Sequence, residues 1–89
     1  MPKKEKKEVN KYLKKFGRKL ALLKKESKMS YRKIASKCDI EHSDIKRYVD
    51  GEINPTLLSI IELSKGFGVK TNVLLDIEWE DDAFEEEDS

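Results

Sequence analysis

Eighty-nine residues, 37% of them apolar and 42% charged, are enough for one small domain with a modest core and too few for a multidomain or deep-pocket enzyme. No apolar run approaches the roughly 18 residues of a membrane span, and the lysine-rich start lacks the apolar stretch of a secretory signal, so the chain reads as cytoplasmic. The net charge of +1 hides a strong polarity: residues 1–50 carry 17 Lys and Arg against 7 Asp and Glu, and residues 51–89 carry 2 against 11. Such a division suggests a surface that faces a polyanion and a separate acidic tail, beside the plainer alternative of lysines on solvated helices.

Residues 1–8, MPKKEKKE, have no apolar residue after Met1 and are expected to form a basic flexible arm that frays into the following helix. Val9, Tyr12, Leu13, Phe16, Leu20 and Leu23 then recur at three- and four-residue steps, which predicts a helix over about 9–27 with lysines on its other faces. Ser30 is placed to cap a second helix over about 30–38, whose short inward face is Ile34, Ala35 and Cys38. Asp39 follows where the chain must reverse quickly, and a left-handed backbone is expected there because aspartate tolerates it. Residues 42–50 predict a third helix with Ile45 and Tyr48 or Val49 inward, ended by Asp50-Gly51. Asn54-Pro55-Thr56 introduces a fourth helix, LLSIIELSKGFG, and a short fifth lies near TNVLLDI. No segment alternates as a strand would. The domain is placed at 9–77, with 78–89, EWEDDAFEEEDS, as an acidic tail that carries Trp79 and Phe84 and is available to a protein partner.

Apolar side chains at 34, 38, 40, 45 and 48, with the small Ala35 between two short helices and a sharp turn at 39, form the pattern of a helix-turn-helix. The stretch SYRKIASKCDIEHSDIKRYVDGEINPTLLSIIELSKGFGVKTNVLL resembles the lambda repressor and Cro-like (Xre-type) DNA-binding family over roughly residues 13–77. The likeness includes the loop with Gly51 and Pro55, the apolar fourth helix and the Phe67-Gly68-Val69 exit. It implies an all-α, five-helix fold and a sequence-specific regulator, a repressor by expectation, that lays its third helix in the major groove of double-stranded DNA. The sequence departs from the family at Asp39, where glycine is usual, and at Lys24 and Val49, where an arginine–glutamate pair is usual; Val49 is expected to pack on the stem of Lys24. The loop Glu52-Ile53-Asn54 is also less basic than in relatives.

Carried over by the resemblance, His42, Ser43 and Lys46 face base edges, and Arg47 reaches phosphate. Ser30, Tyr31 and Arg32 at the start of helix two, with Lys37 and Asn54, are the other phosphate candidates. Tyr31 has the alternative of a partly buried surface aromatic, and His42 that of a solvated helix start. Lys3, Lys4, Lys6, Lys7 and Lys33 are candidates for sequence-independent neutralisation, or merely solvated. The carboxylates of Glu41 and Asp44 fall at the positive end of helix three, Asp44 as the reaching residue of a capping box; each is worth roughly 0.3–1 kcal/mol there. Leu58 and Val73 occupy positions commonly polar in relatives. With Ile61 and Ile77 they are the expected interface of a homodimer, which would space two reading helices roughly 34 Å apart.

An enzyme fails on inventory. His42 and Cys38 are single, no nucleophile–base pair or metal-ligand set exists, Gly66-x-Gly68 is a helix exit and no phosphate loop, and no cofactor is implied. Cys38 reads as a packing residue. The competing function is an antitoxin-like or anti-regulator module that binds a protein through its acidic tail.

Overall fold

The computed structural model describes residues 6–79. Five helices follow one another: α1 Lys6–Ser27, α2 Tyr31–Ser36, α3 His42–Val49, α4 Leu57–Phe67 and α5 Thr71–Leu74; no strand occurs among the described residues. The all-α, five-helix reading of the sequence therefore holds. α1 begins three residues earlier than its apolar periodicity suggested, inside the stretch assigned to the arm. Residues 1–5 and 80–89, including Phe84, lie outside the described residues.

Every helix contributes to one core. Phe16 and Leu20 of α1, Ile34 of α2, Ile45 and Tyr48 of α3, Leu63 and Phe67 of α4 and Leu74 of α5 are buried, and Leu20, Ile34, Ile45, Leu63 and Leu74 are completely so. Tyr12 and Leu13 are only half-covered, so α1 is anchored through its second half. Of the two inward candidates at the end of α3, Tyr48 is buried and Val49 half-buried; both belong to the packed interior.

The helix boundaries follow from local chemistry. Ser30 Oγ accepts the Lys33 N–H at 3.1 Å, and Thr56 Oγ1 accepts the Ser59 N–H at 3.1 Å, so α2 and α4 each start on a side chain that satisfies an otherwise unpaired amide. At the end of α3 the Glu52 N–H reaches the Arg47 carbonyl at 3.0 Å and the Gly51 N–H reaches Tyr48 at 3.1 Å, a Schellman closure that requires the positive φ of +75° held by Gly51. α1 ends on a left-handed residue too, but there it is Lys28, at φ +59°, with its N–H on the Lys24 carbonyl at 2.9 Å. Lys28 is the only described non-glycine residue with positive φ, which corrects the expectation that Asp39 adopts it.

α1 and α3 meet at Gly17. A Cβ at that position would lie 2.2 Å from the Val49 carbonyl oxygen, so the two backbones approach as closely as the absence of a side chain allows. Lys24, expected against Val49, has its ammonium 4.6 Å from the centre of the Tyr31 ring, a cation–π contact between α1 and α2. The joint between α1 and α3 is therefore a backbone contact at a glycine, where relatives of the resembled type were expected to use an ion pair.

Candidate nucleic-acid interface

Ile45 and Tyr48 fix which side of α3 faces inward. At 3.6 residues per turn, the opposite side presents His42, Ser43, Lys46 and Arg47, and all four are exposed. The first turn of α2 stands beside this face: Ser30 and Arg32 are exposed, and Tyr31 is half-buried against the core edge with Lys24 over its ring. Tyr31 thus takes the role of a partly buried aromatic, with its phenol close enough to Lys46 to influence that residue electrostatically. Tyr31 is thereby linked to the cluster His42, Ser43, Lys46 and Arg47 on the outward side of α3.

Lys37 and Asn54 stand apart from that cluster. Lys37 closes α2, and its ammonium lies 3.7 Å from the Met29 sulfur and beside the Gly68 exit of α4. Asn54 is exposed on the loop between α3 and α4. Leu58 is 73% exposed and its neighbour Leu57 67%, whereas Ile61, Val73 and Ile77 are half-buried, Ile77 against the core. Trp79, 65% exposed, ends the described chain, and the adjacent Glu78 carbonyl accepts Lys15 Nζ at 3.1 Å.

The turn between the two helices is held from a distance. The Asp39 N–H donates to Glu62 Oε1 of α4 at 2.9 Å, and the other carboxylate oxygen of Glu62 accepts Lys65 Nζ at 2.9 Å. Lys65 first, then the Asp39 amide, hold the Glu62 carboxyl below the usual glutamate range. Glu41 caps α3 through its backbone carbonyl alone, which accepts the Asp44 and Ile45 amides at 3.0 Å; its side chain makes no capping bond. The capping box expected of Asp44 is not formed either, because the Asp44 carboxylate turns to Arg47, 3.9 Å from Nη1.

Both cations on the outward side of α3 are paired. Lys46 Nζ donates to Asp50 Oδ2 at 2.8 Å, and Arg47 lies between Asp44 and Glu52, with Nε 3.6 Å from Glu52 Oε1. The Asp50 hydrogen bond and charge push the Lys46 ammonium above its usual range, with smaller contributions from Tyr31 and Glu52. Sequence reasoning overlooked Asp50, Glu52 and Glu62 as parts of this site. The i,i+4 spacing of Lys46–Asp50 and the i,i+3 spacing of Asp44–Arg47 were legible signals, whereas nothing local connects Glu62 with a turn 23 residues earlier.

An open groove of about 550 Å³ runs along the turn, lined by Ala35, Cys38, Asp39, Ile40, Glu41 and His42. Cys38 Sγ donates to the Ile34 carbonyl at 3.6 Å, and burial pushes its thiol up. Among the described residues no cluster of three or more His, Cys, Asp and Glu is placed to hold a metal ion. No described helix is long and apolar enough to cross a membrane.

No protein-family profile matches the sequence, and no curated protein matches it. Among solved structures, the fold is similar to the high-resolution crystal structure of the restriction-modification controller protein C.AhdI from Aeromonas hydrophila, with a TM-score of 0.65 and 24% identity over 70% of this chain and 94% of that one. At this identity the likeness is one of fold.

Proposed function

We propose that this protein is a transcriptional regulator that binds double-stranded DNA with α3 in the major groove, its function that of a controller and its expected effect repression by occlusion. The observation that carries the proposal is the outward face of α3, where His42, Ser43 and Lys46 stand opposite the buried Ile45 and Tyr48 with the first turn of α2 alongside. A helix of this size fits the roughly 12 Å groove, and its neighbour's amino end is suited to flanking phosphates. The likeness of fold to a restriction-modification controller supports the same class of function. In this proposal His42, Ser43 and Lys46 meet base edges, while Ser30, Tyr31, Arg32 and Arg47 contact phosphate, with Lys37 and Asn54 at the margins. Residues 1–8 serve as a basic arm, 9–77 as the binding domain and 78–89 as an acidic tail, and the setting is the cytoplasm.

The regulator is proposed to act as a homodimer. Leu58, exposed on the first turn of α4 next to the exposed Leu57, leads an interface with Ile61, Val73 and Ile77, since adjacent apolar side chains 67% and 73% in water suit a face that a partner covers.

Replacement of Lys46 or Arg47 by alanine tests the docking face. Each should weaken binding to a duplex by roughly three- to tenfold and reduce the salt slope by less than about one, since each cation is partly neutralised by its carboxylate. Unchanged affinity in both variants would remove α3 as the docking element. The second reading, a protein-interaction module, draws on the acidic residues beyond 78 and on the pairing of Lys46 and Arg47 with carboxylates. Deletion of residues 80–89 separates the two: loss of protein-partner affinity with DNA binding unaltered favours the module, and a rise in DNA affinity favours a self-inhibited regulator.

A further inference from the structure

From His42 to Glu52 carboxylates outnumber cations. Lys46 and Arg47 are the two cations of this stretch, and three carboxylates, Asp44, Asp50 and Glu52, lie within 4 Å of them. Asp44–Arg47 has the order that favours a helix, but the other two pairs are less suited to helix stabilisation. Lys46 precedes Asp50 in the chain, which is the less favourable order for an i,i+4 pair in the field of a helix, and Glu52 approaches Arg47 from the loop. All five side chains are partly in water, 41–60% exposed, where ion pairs contribute little to folding.

Their consequence for a polyanion is larger. A phosphate that takes Lys46 or Arg47 must displace a carboxylate, and that carboxylate then faces the duplex without a counter-charge. A phosphate contact costs the same on every sequence, so for Arg47, and for Lys46 wherever it meets phosphate in place of a base edge, the cost falls on the part of binding that carries no sequence information. His42 and Ser43, which have no such partner on this face, can still approach base edges. Resting on the docking face proposed above, we infer that Asp50 and Glu52 restrain sequence-independent DNA binding by holding Lys46 and Arg47 as internal ion pairs. They are specificity-determining residues that act through the cations they hold.

The test uses the full chain and a mixed-sequence duplex of about 20 base pairs, titrated at several salt concentrations. Glu52→Gln and Asp50→Asn should each tighten binding roughly three- to tenfold and steepen the salt slope by up to about 0.9 per released cation. Asp76→Asn, the same charge change on the exposed segment after α5, should alter affinity less than twofold. The deciding comparison is a cycle: in an Arg47→Ala background, Glu52→Gln should lose its effect. Equal tightening by Glu52→Gln with and without Arg47, or by Asp76→Asn, would show a general charge effect and overturn the inference. So would no tightening at all. If Asp50→Asn, at the end of α3, loses its fold by circular dichroism, Glu52→Gln on the exposed loop decides alone. Weakening by Arg47→Ala without tightening by Glu52→Gln defeats only this inference, whereas indifference to both Lys46→Ala and Arg47→Ala defeats the docking face as well.

Discussion

Gly17 is the glycine with the least room for a side chain. Its nearest neighbours across α1 and α3 are backbone atoms, which cannot swing aside as a side chain would. Gly17→Ala should therefore destabilise the fold by about 2–3 kcal/mol or more, measured by urea unfolding, even though alanine favours a helix. Lys28 presents the reverse case, since a residue with a Cβ occupies a left-handed position. Lys28→Gly should raise stability by about 0.5 kcal/mol, the relief of strain exceeding the added freedom of the unfolded chain. Glu62 ties the turn to α4, and its carboxyl is held below the ordinary value of 4.5. A lowered folded-state value means that its stabilisation is complete above the unfolded-state value and fades as pH falls through the folded one. The difference in thermal midpoint between wild type and Glu62→Gln should accordingly shrink between pH 7 and pH 3; a constant difference would dismiss Glu62 as a charged latch.

Helix starts and stops were the most legible elements. Ser30, Thr56 and Gly51 act within four residues of themselves, so sequence alone exposes their role, and Thr56→Ala should cost about 1 kcal/mol by loss of the Ser59 amide's acceptor. The outward side of α3 was legible for the same reason: burial of Ile45 and Tyr48 decides where His42, Ser43, Lys46 and Arg47 point. The turn between α2 and α3 was not, because its stabiliser comes from α4 and allows Asp39 an ordinary backbone where positive φ was expected. Nor was the fate of the carboxylates: Asp44 sits where a capping box would use it, yet a nearby guanidinium competes for it. Local spacing names the candidates for a contact, and tertiary neighbours choose among them.

At the scale of the molecule, the chain is polarised twice. Along the sequence, basic residues crowd the first half and acidic ones the second; within the domain, the proposed reading face is charged and the first turn of α4 is apolar. The two faces suit a dimer that joins through α4 and α5 and binds a two-fold symmetric site. Light scattering after size exclusion should then show a dimer at micromolar concentration and a monomer for Leu58→Asp, and a wild-type monomer at every concentration would remove the interface. The proposal as a whole stands on which surface meets DNA. The most direct measurement is a titration of isotope-labelled protein with a short duplex, followed through backbone amide resonances. The largest shifts should fall on residues 30–32 and 42–47, with the core signals of α4 and α5 little changed. Shifts concentrated on α1 or on α4, with His42, Ser43 and Lys46 unperturbed, would contradict it.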